Sequence, residues 1–410
     1  MQAYVSKFAD AYLLAGMRTP FVDYMGAFAL ISPTDLAIKA ARAVFATSGV
    51  DPAEVGMVVT GNMAQASFDA YMLPRHTTLY SGVPQHVPAH MVQRVCGTGV
   101  EALMQGSDAV SLGRVNVALV AGAESMSRNP VASYTTRTGF RMGDPGFKDF
   151  LWEALLDPSC GCTMGHTAEN LAKRYNLSRG DVDAFAAQSF ARAVAAQKEG
   201  FFAGEIAPVS NEKFTLDGHA DRGIKLRGKD ETVAADTHIR PSPLEALAKI
   251  RPAFGGVQTG GNSSAVVDGA AAALVVNGAT AKKHGGPLAR IIAGCSVGVE
   301  PAYMGIGPAP AIRALLAATG LQLSDIDFVE INEAFGAQCL ACARELGLDE
   351  ARLNPNGGAI AIGHPLGATG VRLTMTLARQ LQRTGKRYGI SSACIGGGQG
   401  IALLIENVNR

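Results

Sequence analysis

The feature that most constrains this chain is an internal repeat. SGVDPAEVGMVV (48–59) lies without a gap on TGLQLSDIDFVE (319–330), an offset of 271 that matches Gly49 with Gly320, Val55 with Ile326 and Val58 with Val329. CGTG (96–99) lies on HPLG (364–367) at nearly the same offset, 268, and each is followed by a helix-like stretch and then an apolar run. Two matches at nearly one offset predict a chain built from two copies of one unit. Paired units of this kind pack about a pseudo-twofold axis, so equivalent positions meet. Cys96 is expected to face His364.

Local patterns say what the unit is made of. Short apolar runs such as VALVAGAES (117–125) and GISSACIGGGQG (389–400) end in glycine, as strands leading into turns do. Between such runs, Asp35–Ala46, Val100–Leu112, Ala309–Ala318 and Gly370–Gln382 carry apolar residues at spacings of three and four among good helix formers. Strands alternating with helices predict α/β layers. From 126 to 255 the pattern changes to a more charged stretch containing SRNP, a helical run from Thr167 to Lys198 and LDGHADRGIKLRGKDET, which reads as an inserted surface domain. The expected division is a first half of 1–125 and 256–280, an insert of 126–255, and a second half of 281–410.

Composition narrows the function classes. With 36 Lys and Arg against 35 Asp and Glu in 410 residues, no global field draws the chain to nucleic acid or to an acidic surface. No run of about 18 uninterrupted apolar residues predicts a membrane span. Asp10 and Asp23 interrupt the first 25 residues, which show neither a secretory nor an import pattern. Seven scattered cysteines fit a reducing compartment better than a disulfide framework, so a cytoplasmic location is expected and some thiols are free to react.

Glycine-flanked segments concentrate the chemistry. In VQRVCGTGVEAL (92–103), Gly97 and Gly99 uncover the backbone beside Cys96, and a helix starting there is expected to lower the thiol pKa, as a nucleophile for a thioester carbonyl requires. His364, between Gly363 and Pro365, becomes a general base if it stands opposite that thiol. Cys160, Cys162 and His166 form a C-x-C-x3-H cluster, but three local ligands at this spacing do not make a common zinc site, and no metal is expected. Cys339 and Cys342 read as small packing residues on a helix.

Together, VQRVCGTGVEAL, NEAFGAQ (332–338) with GGAIAIGHPLGATG (357–370), and SACIGGGQG (392–400) resemble the three signature regions of the thiolase family, and the likeness runs from Arg18-Thr19-Pro20-Phe21 to the C-terminus. The resemblance implies a five-layered α/β/α/β/α fold of two duplicated halves with an inserted loop domain, working as a homodimer or homotetramer. It implies cleavage or formation of 3-ketoacyl-CoA, with coenzyme A as substrate and no further cofactor. Cys96 would carry the acyl group, His364 would take its proton, and Cys394 would serve as acid and base for the second substrate. One oxyanion hole would use His364 and a water held by Asn332; the other, the N–H groups of Cys96 and Gly396. Met164, Ser264, Ala334 and Phe335 would line the pantetheine channel, with Arg240 and Phe254 toward the adenosine end. Departures from the family pattern lie at the CGTG middle positions, at Gly336, and across 65–90, the region that shapes the acyl pocket. The nearest enzyme alternative is a decarboxylating condensing enzyme of the ketoacyl synthase type, against which Cys394 in CIGGG argues. The alternative from another class is a non-catalytic acyl-CoA-binding subunit of a β-oxidation complex, which need not keep Cys96, His364 and Cys394 together as this chain does.

Overall fold

The computed structural model describes residues 3–143 and 146–409. Its principal strands are β1 (Tyr4–Arg18), β2 (Met57–Gly61), β3 (Ala89–Val92), β4 (Val117–Glu124), β5 (Val267–Val276), β6 (Ala289–Gly298), β7 (Phe328–Ile331), β8 (Tyr388–Ile395) and β9 (Gln399–Glu406). The helices that matter below are α1 (Pro33–Ser48), α2 (Thr98–Ser111), α3 (Met164–Arg174), α4 (Arg179–Lys198), α5 (Pro308–Thr319), α6 (Gly336–Leu346) and α7 (Leu366–Thr384).

The repeat is visible in the strand order. One half runs β3-β2-β4-β5-β1 and the other β7-β8-β9-β6, joined where β1 pairs antiparallel with β6. In both halves the first matched pair is parallel, β2 with β4 and β7 with β8, and the next pairings are antiparallel. Register repeats too: Met57 pairs with Ala118, and Phe328, 271 residues later, pairs with Gly389. β1 and β6 are equivalent strands, so their antiparallel pairing puts the pseudo-twofold axis between them.

Helix punctuation is also copied. α1 and α5 both begin with proline at the first helical position and stop at a left-handed glycine, Gly49 at φ 67° and Gly320 at φ 74°. These are the glycines matched in the repeat, and only glycine adopts that conformation without a Cβ penalty.

α2 and α7 form the middle layer between the two halves of the sheet, with α1 and α5 on the outer faces. β4 and β5 are buried along their whole length, as strands covered on both faces must be, and their sequences VALVAGAE and VDGAAAALVV are small and apolar throughout. α2 and α7 touch backbone to backbone: a Cβ on Gly370 would sit 2.1 Å from the Val100 nitrogen. That contact sets how closely the two helix starts, and the residues just before them, approach.

One expected element divides. The helical run from Thr167 to Lys198 is two helices, α3 and α4. The break falls where Asn176 turns left-handed at φ 49° and Ser178 forms a capping box with Asp181.

Candidate active site

Cys96 lies in the turn that feeds α2. Val95 is held at φ 42°, a conformation a β-branched residue rarely adopts. Thr98 holds the turn, its hydroxyl donating to the Val95 carbonyl at 2.6 Å and accepting from the Arg94 N–H at 2.9 Å. The thiol ends 5% exposed. The expected depression of its pKa does not occur: burial pushes the thiol up to about 11, outweighing the N–H groups of Gly396 and of Cys96 itself that favour the thiolate, while the Glu124 carboxylate opposes it. The helix start is real, but desolvation is larger.

His364 occupies the equivalent place before α7, whose first helical residue is Leu366. Its Nδ1 lies 2.6 Å from the Thr369 hydroxyl, which lies 3.0 Å from the Pro365 carbonyl. That carbonyl only accepts, so the hydroxyl donates to it and receives its own bond from Nδ1–H. Nε2 is therefore the basic nitrogen, and the Asn332 amide donates to it at 3.2 Å. Burial, then the Arg372 charge, holds the imidazole pKa down to about 3, so it is neutral at physiological pH and Nε2 carries no proton.

Two expectations follow. Thr369→Val removes the acceptor that fixes the tautomer and lowers kcat by about 10- to 100-fold, whereas Thr369→Ser, which keeps the hydroxyl, restores most of it; steady-state kinetics of the three proteins decide. Because burial raises the thiol and lowers the imidazole, the resting site is expected to hold a neutral thiol and a neutral imidazole rather than an ion pair. Alkylation of Cys96 by iodoacetamide should rise about tenfold per pH unit from pH 6 to 9, and a plateau near neutrality would contradict this.

Cys96, His364, Met164, Phe254, Ser264, Ala334 and Phe335 line one cavity of about 210 Å³. Met126, Trp152, Leu155, Met304 and Leu366, not singled out in the sequence, line it as well. Cys394 is fully buried in β8 and packs with Met164, Met304 and Ala334. Burial raises its pKa well above the ordinary thiol value, and the neighbouring Cys96 adds to the rise. Gly396 sits beside Met164 and Val95, whereas Gly397 and Gly398, at φ 84° and 85°, shape the turn into β9, where a Cβ on Gly398 would meet the Val299 carbonyl at 2.4 Å. Arg240 does not join this group: it is exposed, stacks over Phe190 and bonds His238. Cys339 and Cys342 are fully buried in α6, as packing residues are. Among the described residues no cluster of three or more ligating side chains could hold a metal.

Glu124 is a further residue the sequence did not single out. Its buried carboxylate accepts from the Met63, Ala64 and Gly367 N–H groups at 3.0, 3.1 and 3.0 Å, tying the loop after β2 to the first turn of α7. Burial raises it to about 7 against those three bonds. An acid closing an otherwise apolar strand, VALVAGAE, was the available signal.

A buried thiol under two N–H groups, with a neutral imidazole of fixed tautomer in the same cavity and a second thiol close by, is the equipment of a covalent acyl-transfer enzyme. The chain matches the family models Thiolase, N-terminal domain, over residues 11–279 and Thiolase, C-terminal domain, over residues 286–407. It is 42% identical to the mitochondrial 3-ketoacyl-CoA thiolase of Bos taurus over 401 residues, 97% of this chain and 98% of that protein. It is 40% identical to a beta-ketothiolase of Cupriavidus necator over 97% and 99% of the two chains. The crystal structure of human mitochondrial 3-ketoacyl-CoA thiolase in complex with CoA superposes with a TM-score of 0.90 at 40% identity, covering 97% and 98% of the chains. This chain belongs to the thiolase family.

Proposed function

We propose that the protein is a thiolase that moves acyl groups between acyl-CoA and either CoA or acetyl-CoA, cleaving or forming 3-ketoacyl-CoA through an acyl-Cys96 intermediate. The observation that carries this is the convergence on one cavity of Cys96 and His364, with the Gly396 N–H aimed at the sulfur. His364 Nε2 takes the Cys96 proton as sulfur attacks the thioester carbonyl, and the N–H groups of Cys96 and Gly396 receive the charge that builds on oxygen. Cys394 then moves the second proton, from the α-carbon of acetyl-CoA in condensation or from the CoA thiol in thiolysis. Asn332 Oδ1 has no partner among the described residues, which supports a role in holding a water at the second oxyanion position.

We read Met164, Ser264, Ala334 and Phe335 as the pantetheine channel, with Phe254 on the same cavity toward the adenosine end. The divisions are a first half of 1–125 with 256–280, a CoA-binding insert of 126–255, and a second half of 281–410. The family-model boundary between 279 and 286 supports the last division. Arg240, on the surface of that insert, would meet phosphate from outside the cavity. We further propose a homodimer or homotetramer in a reducing, cytoplasmic setting. All seven cysteines are free, and among the described residues no helix is long and apolar enough to cross a membrane. The mitochondrial relatives make fractionation the check on compartment.

Acetoacetyl-CoA plus CoA tests the activity, with malonyl-CoA alongside. Thiolysis without decarboxylation of malonyl-CoA supports the proposal. Carbon dioxide release from malonyl-CoA would favour the condensing-enzyme alternative, and binding without turnover of either would favour the binding subunit.

A further inference from the structure

One pair of thiols has no part in the acyl-transfer site. The chain enters and leaves the tip of a short hairpin, Leu156–Asp157 against Cys162–Thr163, with Cys160-Gly161-Cys162 at its turn. Gly161 is left-handed at φ 67°, which folds Cys162 back so that its sulfur lies 3.6 Å from the Cys160 carbonyl, while the Cys160 sulfur lies 3.9 Å from the Asp157 carbonyl. Both thiols are partly exposed, unlike the other five, and only one residue separates them at the tip of the hairpin.

We propose that Cys160 and Cys162 are a reversible dithiol–disulfide site that reacts with low-molecular-weight disulfides and acts on the acyl-CoA cavity. One sulfur, as thiolate, attacks a disulfide RSSR and forms a mixed disulfide, releasing RS⁻, which takes up the proton the thiol lost. The second thiol then displaces the remaining RSH, so two thiols are oxidised by two electrons and one RSSR is reduced to two RSH. Residues two apart can meet the Cα spacing a disulfide needs, but the small ring is strained, which makes the bond easy to reduce and suited to switching. Coupling to the cavity is covalent and short. Leu155 and Thr163, at the two ends of the hairpin, both line it; the Met164 N–H donates to the Leu155 carbonyl at 2.9 Å; and Thr163 caps α3. Closing the ring moves the segment that supplies Thr163 and Met164.

The full-length protein is incubated with oxidised glutathione, free thiols are blocked under denaturing conditions, and the peptide spanning Cys160 and Cys162 is mapped by mass. The expected product has lost two hydrogens and both blockable thiols, is restored by dithiothreitol, and stops at a single glutathione adduct in Cys160→Ser. In parallel, with Cys96 protected by acylation during oxidation, the KM for acyl-CoA rises severalfold with a smaller change in kcat, and Cys160→Ser shows no such rise. A peptide that keeps both thiols, or carries two glutathiones, overturns the site. A closed ring with unchanged KM overturns its action on the cavity. The mass result is independent of the acyl-transfer assignment, so the two proposals fail separately.

Discussion

Replacing Cys96 with alanine is expected to lower kcat for thiolysis of acetoacetyl-CoA by about 10⁴-fold or more, the scale on which loss of a covalent nucleophile is felt. The size follows from what remains. His364 would have no thiol to deprotonate, Cys394 lacks the Gly396 N–H that faces the Cys96 sulfur, and that N–H would face an empty position. Binding should change far less, because most of the cavity wall is apolar surface from other residues. Isothermal titration of acyl-CoA into Cys96→Ala, beside its kinetics, separates the two effects. A kcat within tenfold of the parent would remove Cys96 from the mechanism.

The second large effect is on stability and lies away from the cavity. Arg18 is fully buried, 2.7 Å from Glu205 and paired through both terminal nitrogens with Asp236 at 2.6 and 2.8 Å, with its guanidinium over the Phe21 ring. Burial alone would lower its pKa, but Asp236 and Glu205 more than reverse this and the group is held charged. Arg18→Met leaves two buried carboxylates without their cation and should lower the free energy of unfolding by about 3–5 kcal/mol, read from urea denaturation. Adding Glu205→Gln and Asp236→Asn should recover part of the loss, since the cost comes from unpaired charge rather than from missing packing volume. No recovery would point to packing instead. Glu205 and Asp236 lie within the 126–255 stretch and Arg18 ends β1, so the triad ties that stretch to the sheet.

How far the sequence reveals this protein depends on whether the determinant is local. Gly49 and Gly320, Cys96 and His364 are legible because the repeat keeps each in a short pattern, and the strand order bears that repeat out. The break between α3 and α4 was also local, written in Ser178 and Asp181, but the apolar spacing on either side conceals it. Thr369 illustrates a different limit. It lies five residues past His364, and its role exists only because α7 starts between them and directs the hydroxyl back at Nδ1. Glu124 and Arg18 act on residues hundreds of positions away, which no local pattern encodes. The sign of the Cys96 shift failed for the same reason: a helix start can be read from glycines, but full desolvation comes from the elements packed around it.

The most direct test of the central claim is mass spectrometry of the intact protein after brief exposure to acetyl-CoA or acetoacetyl-CoA, with the modified peptide mapped. The expected result is an acyl group on the peptide containing Cys96, lost in Cys96→Ser and accumulating in Cys394→Ala, where the second half reaction is slowed. Binding of acyl-CoA with no protein-linked acyl group, even in Cys394→Ala, would contradict it.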